Sequence, residues 1–306
     1  MSGQDCLLVK TASEIALKSD FVRRFFTKKL VESVKFALKK NKVAFSSIER
    51  AGGRLFVFCE KPEKAQLALS RLPGIHATAI ALRFSPAEFA LLEKQVVLFA
   101  KGFLEKGDSF ALDARVVNNK VFSAKDLENR LGAAVIKAIP GLKVNLSAPE
   151  KEIFIEVGTK GFFIFSSETR CLGGLPLGVE GGVALFFSGQ KEELAAAFLL
   201  LHRGCNIFPI VEKKSKGLEN HIALLVPFNA YRDFSIATKG ELPLLARERN
   251  IKAIATADSA LDEKSLASYE KFDALHSLVV LRPLLLYPKA ELERVLRLFP
   301  AGKKVK

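Results

Sequence analysis

Cysteine is scarce in this chain. The 306 residues hold four, Cys6, Cys59, Cys171 and Cys205. None stands in a C-x-x-C pair or in a Cys/His cluster with ligand spacing, which argues against a zinc site. Each lies in or beside an apolar run, the setting of a buried free thiol rather than of a disulfide. Histidine is as sparse. His76, His221 and His276 have no partner nearby in the sequence, and His202 sits beside Arg203-Gly204 at a helix end, where a basic side chain suits the helix dipole. No run approaches the roughly eighteen apolar residues of a membrane-spanning helix. The N-terminus lacks the basic flank and apolar stretch of a secretory signal. A reduced, cytoplasmic protein with no membrane partner is the expectation.

Acidic residues are also in deficit. Lys and Arg outnumber Asp and Glu to give a net charge of +14. Such a balance calls for a polyanionic partner, most simply nucleic acid. Residues 1–170 carry +10 of the excess, and residues 1–50 alone carry +6. The partner-facing surface is therefore expected in the N-terminal half. Apolar residues make up 49% of the chain, enough for real cores over two or three domains.

Residues 1–78 read as a β-α-β-β-α-β unit, a ferredoxin-like order. A strand at 6–9 precedes a helix over 20–40, whose apolar positions Phe21, Phe25, Leu30, Val34 and Leu38 follow helical spacing. Its other face carries Arg23, Arg24, Lys28, Lys29, Lys35, Lys39 and Lys40, interrupted only by Glu32. A solvated face usually mixes signs, so this one, with Lys18 just before it, is expected to meet RNA. Strands at 48–49 and 54–59 flank the Gly52-Gly53 turn. A helix over 62–72 and a strand over 75–83 complete the unit.

Residues 79–170 form a second unit. Ser85 and Pro86 start a helix that Gly107 ends. In the strand 109–116, Phe110, Leu112 and Ala114 share one face, and Asp113 and Arg115 the other. A helix from Ser123 to Ala138 follows, then a short strand at 144–146 and a hairpin of 153–157 with 162–165. Arg115, Lys120, Lys125 and Arg130 gather around the start of that helix and Lys143 lies further on, all candidates to grip phosphates.

Residues 171–306 alternate strands and helices, the mark of a mostly parallel, doubly wound α/β sheet. The expected strands are 183–187, 207–211, 223–226, 253–256 and 279–281, with helices over 192–201 and 242–249. The segment 261–272 reads as a polar surface loop. The turn from Phe187 through Ser188-Gly189 into the helix is the geometry that presents backbone N–H groups to a phosphate. Glu192 and Glu193 oppose that reading. They stand in the first helical turn, where a phosphate would meet two like charges and Lys191 offsets one at best.

The run Asp113-Ala114-Arg115, Lys120-Val121-Phe122-Ser123, Asp126-Leu127-Glu128, Leu131-Gly132-Ala133, Val144-Asn145-Leu146 and Pro149-Glu150 resembles a THUMP RNA-binding domain. Glu14-Ile15-Ala16-Leu17-Lys18 resembles the start of the tRNA 4-thiouridine synthetases, or tRNA sulfurtransferases. Gly173-Gly174-Leu175-Pro176-Leu177-Gly178 is similar to that family's entry into its PP-loop ATP-pyrophosphatase domain, and Leu281-Arg282-Pro283-Leu284 with Lys289 and Glu291 to that domain's last segment. The ordered set covers nearly the whole chain. The resemblance implies tRNA or another structured RNA as partner, bound by the two N-terminal units. It also implies a PP-loop domain that adenylates a uridine for displacement by sulfur, using ATP with Mg.

Against the family's S-G-G-x-D-S loop, Ser188 and Gly189 match, while Gln190, Glu192 and Glu193 replace the second glycine, the aspartate and the serine. The later T-G-[ED]-S stretch stands as Thr256-Ala257-Asp258-Ser259. Ser188, Gly189, Glu192 and Asp258 are thus the residues of a degenerate nucleotide site. The family's relay cysteine has no counterpart after Cys205, and no rhodanese domain is expected. The leading expectation is an RNA-binding relative whose ATP chemistry is lost or weakened, with ATP and Mg needed only if the loop works. The alternative is an active sulfurtransferase with a divergent loop. A sulfur donor, a complementary subunit or a family-like homodimer are further partners the resemblance admits.

Overall fold

The computed structural model describes residues 4–85, 88–117, 121–158 and 161–299. The chain opens with β1 (Gln4–Thr11), a one-turn α1 (Ser13–Ala16), α2 (Asp20–Lys40), β2 (Ser47–Ala51), β3 (Arg54–Phe58), α3 (Pro62–Leu69) and β4 (Ile75–Phe84). With α1 added, this is the ferredoxin-like order expected. Gly52 and Gly53 close the β2–β3 hairpin at φ +56° and +75°, angles open to glycine at little cost. There follow α4 (Phe89–Phe103), β5 (Ser109–Val116), α5 (Ala124–Ala138), β6 (Lys143–Val144), β7 (Lys151–Gly158), β8 (Gly161–Phe165) and β9 (Thr169–Gly173). Ser123 caps α5 by accepting the Asp126 N–H at 3.1 Å. The cap expected from Ser85 and Pro86 involves residue 86, outside the described residues; α4 begins at Phe89 behind Glu88.

The two N-terminal units share one sheet. Among the described residues nine strands join, in the order β2-β3-β1-β4-β8-β7-β5-β6 with β9 also on β4. The seam is the antiparallel pair β4–β8, with Leu82 opposite Ile164, Arg83 opposite Phe163 and Phe84 opposite Phe162. Alternation along each strand gives the sheet two apolar faces. One packs Ile153, Ile155, Phe162 and Ile164 against Val96 of α4 and Leu127 and Leu131 of α5. The other gathers Cys6, Leu8, Phe56, Phe58, Phe163 and Phe165. There the rings of Phe56 and Phe163 stack with centroids 4.1 Å apart. Arg54 donates to Glu156 at 3.2 Å beside them. Burial pushes the Glu156 carboxyl up, against the opposing pull of Lys10 and Arg115.

Contacts divide the chain into two compact units. One holds Met1–Thr11, Asn41–Ser70 and His76–Cys171; the other holds Ala12–Lys40, Arg71–Ile75 and Leu172–Lys306. Helices α1 and α2 thus belong to the second. Lys40 pairs with Asp233 at 3.2 Å, and the Arg232 guanidinium lies over the Phe36 ring. The buried stripe of α2 is Phe26, Leu30, Val31, Val34, Ala37 and Leu38. Phe21 and Phe25, expected on it, are instead 83% and 42% exposed. The adjacent Phe25-Phe26 pair lets the pattern be read one position out of phase, and Phe26 is the one that packs.

The second unit continues with β10 (Gly182–Phe187), α6 (Lys191–His202), β11 (Asn206–Val211), α7 (Lys216–Ala223), β12 (Ala237–Thr238), α8 (Leu242–Glu248), β13 (Ile251–Ala255), α9 (Glu263–Ala274), β14 (Val279–Leu281) and α10 (Lys289–Leu296). Two expectations are corrected. Residues 223–226 are no strand: Ser215 caps a helix by accepting the Leu218 N–H at 3.3 Å, and the apolar run is the last residue of α7 and the entry to the 3₁₀ turn after it, with Leu225 buried between them. The supposed loop 261–272 holds α9, capped by Asp262, which accepts the Ser265 N–H at 3.0 Å. No residue of α9 is fully buried, so its apolar periodicity is faint.

Candidate functional site

The second sheet runs β12-β11-β10-β13-β14, and every pair in it is parallel. The chain builds outward from β10 to one side through β11 and β12, then returns to build β13 and β14 on the other. Between β10 and β13 the winding direction reverses, and ligands of open α/β sheets bind at the carboxyl ends of the strands at such a point. A cavity of about 820 Å³ lies there, lined by Phe186, Ser188, Glu192, Asp258, Tyr269 and Phe272 among others.

The loop from Phe187 to α6 forms one wall of this cavity. Gly189 has φ +105°, which lets the chain curl so that successive N–H groups point inward. What they meet is the side chain of Glu193. Its Oε1 accepts the Ser188 N–H at 2.7 Å and the Ser188 hydroxyl at 2.7 Å. Its Oε2 accepts the Gly189 N–H at 3.0 Å and the Gln190 N–H at 3.1 Å. Gln190 completes a capping box with the backbone of Glu193. Glu193 is 5% exposed. Hydrogen bonds to a charged acceptor are the strong kind, and four donors converge on this one carboxylate.

Around the cradle the other charges are also paired. The Asp258 carboxylate accepts the Thr256 hydroxyl at 2.7 Å and the Arg282 Nε–H at 3.1 Å. Arg282 also reaches both oxygens of Asp273, at 3.1 and 2.7 Å, and its guanidinium lies over the Tyr269 ring. Asp273 and then Asp258 hold the Arg282 proton more tightly than usual. Lys239 pairs with Glu212. Among the described residues the ion-pair partner of Glu192 is Lys191, at 4.0 Å. His221 bonds the Gln190 carbonyl at 3.1 Å through Nε2, behind the loop. Ser188, Glu192 and Asp258 are thus brought to one cavity, while Gly189 shapes the loop beside it without lining it. The residue that ties the loop together is Glu193, and the Gln190-x-x-Glu193 capping signature is the signal that could have singled it out. Among the described residues no group of three or more His, Cys, Asp or Glu is placed to hold a metal ion.

The basic candidates fall into two groups. Lys18, Arg24 and Lys28 are exposed at the N-terminal end of α2, and none of them forms an ion pair among the described residues. Arg23 is tied to Asp20. In the THUMP-like half, Lys125 stands exposed in the first turn of α5. Arg130 is packed with its guanidinium 3.5 Å from the centre of the Phe89 ring. Arg115 is half-buried on β5, across from Glu156 in the strand register. Lys143 pairs with Ser109 at the start of β5, the opposite end of that strand from the loop leading to α5. At roughly 3.3 Å per residue, β5 is more than 20 Å long, so Lys143 and Lys125 do not share one patch. Lys120 lies outside the described residues.

The thiols are poorly placed for nucleophilic work. Burial pushes Cys6 up to about 12 and Cys205 up to about 11, and raises Cys59 and Cys171 as well. Only Cys171 is half-exposed; the other three are buried. The thiolate is the reactive form, so labelling of the folded protein at pH 8 is expected to modify Cys171 alone, slowly, against all four in denaturant. Mass spectrometry after a short iodoacetamide pulse reads the count. Two or more rapidly labelled cysteines would contradict this assignment.

A family model of the ThiI ferredoxin-like domain matches residues 6–79, and one of the THUMP domain matches residues 87–166. A probable tRNA sulfurtransferase of Methanosarcina acetivorans is 30% identical over 212 residues, which is 68% of this chain and 51% of that protein. Its counterpart in Methanosarcina mazei is 31% identical over 211 residues, 68% of this chain and 52% of that one. The chain spans about half the length of the curated relatives it matches. Two crystal structures share its fold. PH1313 from Pyrococcus horikoshii has a TM-score of 0.84 at 22% identity, covering 95% of this chain and 98% of that one. A 4-thiouridine synthetase solved as an RNA complex with bound ATP has a TM-score of 0.78 at 19% identity, covering 96% and 85%.

Proposed function

This chain carries a ThiI ferredoxin-like domain and a THUMP domain and is a relative of the tRNA sulfurtransferases; from that premise we propose that it binds tRNA or a similar structured RNA, while its own loop no longer takes ATP. One observation carries the second half: Glu193 occupies the Ser188, Gly189 and Gln190 donors that a PP-loop would turn toward phosphate. An entering triphosphate would have to displace a carboxylate held by four hydrogen bonds. It would then meet Glu192, and it would find Asp258 already committed to Arg282. The cradle therefore does not fit ATP with Mg, and no adenylation step is assigned to it. The first half rests on the domain pair and on the net charge of +14. A cytoplasmic site of action follows from that substrate.

Titrating the same purified full chain with tRNA and with ATP, at 50 and 200 mM salt, tests both halves. The expected result is RNA binding that falls on the order of 100-fold across that range, as about four phosphate contacts would give, with no ATP binding at millimolar concentration. Micromolar ATP binding, abolished by Gly189→Glu, would restore an active sulfurtransferase. Salt-insensitive RNA binding or none would remove the RNA assignment.

A further inference from the structure

The exposed face at the start of α2 is not a plain solvated surface. Phe21, Arg24, Phe25 and Lys28 follow one another at helical three- and four-residue spacing, so they share one side, and Leu17 and Lys18 stand just before them. Phe21 is 83%, Phe25 42% and Leu17 85% exposed. The nearby carboxylates of Asp20 and Glu32 are taken by Arg23 and Lys29. Three cations thus stand at the same end of the helix as two aromatic rings one turn apart, Phe21 open to solvent and Phe25 partly covered by Lys29 and Phe26, while Lys18 lies over the Phe26 ring. A phosphate-binding face needs only the cations. The rings add what a sugar-phosphate backbone cannot use and an unstacked base can.

We infer that this face of α2 is a stacking platform for unpaired nucleotides of the bound RNA, with Phe21 and Phe25 each taking a base and Lys18, Arg24 and Lys28 holding the phosphates between them. Alternating aromatic and basic side chains are the means by which single strands are held without sequence preference. Bases within a duplex offer no free face to such rings, so the platform selects single-stranded segments. A second copy of the chain is a poor occupant: a two-fold contact would bring the same three cations against themselves. The inference rests on the RNA-binding reading above and adds which part of the RNA this surface meets.

The chain has no tryptophan, so Phe21→Trp places a single fluorophore in the platform. Titration with a twelve-nucleotide single strand is expected to quench it strongly; a blunt duplex of the same length and sequence is expected to bind with little quenching. In parallel, F21A/F25A is expected to lower affinity for the single strand at least about 10-fold, stacking being worth several-fold or more per base. Its salt slope and its affinity for the duplex should be unchanged. R24A/K28A is expected to weaken both probes and to make the salt slope shallower by about 2. Phe21 is open to solvent and Phe25 partly covered, so F21A should melt with the wild type and F21A/F25A slightly below it. If the wild type binds neither probe, the RNA reading and this inference fall together. If it binds the single strand but F21A/F25A does so equally well, or F21W is not quenched, this inference alone is overturned. A change in sedimentation of the RNA-free F21A/F25A protein would make the patch a protein interface and overturn it equally.

Discussion

Exchanging Glu193 for serine will make the stability of this protein respond to pyrophosphate. In the wild type, the Ser188, Gly189 and Gln190 N–H groups and the Ser188 hydroxyl all end on one carboxylate. Removing it leaves donors at the foot of α6 without their charged acceptor, and a donor stripped of its partner costs about 1–3 kcal/mol where water cannot reach it. The cavity beside the loop admits water, so a net loss of about 2 kcal/mol is expected rather than the sum. The vacated position is then a ring of N–H groups at a helix N-terminus, which favours an anion.

Pyrophosphate at ten times its dissociation constant would restore about 1.4 kcal/mol, or a rise of roughly 2–4 °C in melting temperature for a chain of this size. The wild type should show no such rise in the same buffer against chloride of equal ionic strength. E193S combined with E192Q should respond more strongly, because the second like charge is removed as well. Melting curves at graded pyrophosphate read all three proteins. An equal rise in the wild type would mean that Glu193 does not hold the cradle closed.

A second large effect is expected at Gly161. Its φ is +119°, and a Cβ there would stand 2.1 Å from the carbonyl oxygen of Phe84 and 3.1 Å from its carbon. Both obstacles are backbone, in the strand that pairs with β8, so neither can swing aside as a side chain would. Strain of the residue's own backbone contributes about 1–3 kcal/mol. Prising β4 from β8 would add to it, because the Phe84–Phe162 stack, with centroids 5.1 Å apart, sits at the same point. Gly161→Ala is therefore expected to cost about 3 kcal/mol or more in a urea melt. Gly53→Ala, in a turn where an added Cβ meets nothing within 4 Å, should cost far less. Comparable losses at the two sites would show that the strained φ, not the clash, dominates.

Much of this fold is legible in the sequence because its signals are local. The apolar run at 183–187 is β10, and the alternation of Phe110, Leu112 and Ala114 places all three in the core. Ser123 caps the helix it precedes. What escaped notice depends on partners distant in the chain. Nothing near Leu82 or Ile164 announces that they pair. The two residues of β12 are too few for any pattern. Phe21 and Phe25 fit the helical period as well as Phe26 does, and only packing decides between them. The apolar run ending at Val226 could be strand or helix by composition, and Ser215 was the deciding neighbour.

The candidate site was half legible. Glu192 and Glu193 are legible in the sequence as two acidic side chains in the first turn of a helix, which is where they stand. That Glu193 turns back onto the loop's own N–H groups is a matter of rotamer and loop curvature. The Arg282–Asp258 pair joins residues 24 apart in sequence from different strand ends, and it becomes evident only once the sheet is wound.

The single sheet that runs through the first two domains bears on how this protein could have arisen and how it can be dissected. Most domain boundaries are places where a chain can be cut or shuffled, because few contacts cross them. Here the boundary is a row of backbone hydrogen bonds between β4 and β8. A fragment ending near residue 85 would leave β4 with an open edge, and one starting near residue 88 would leave β8 in the same state. Unpaired edges of this kind recruit other strands and aggregate. Cutting the chain between the ferredoxin-like and THUMP domains is thus expected to yield fragments that aggregate, where the intact sheet does not.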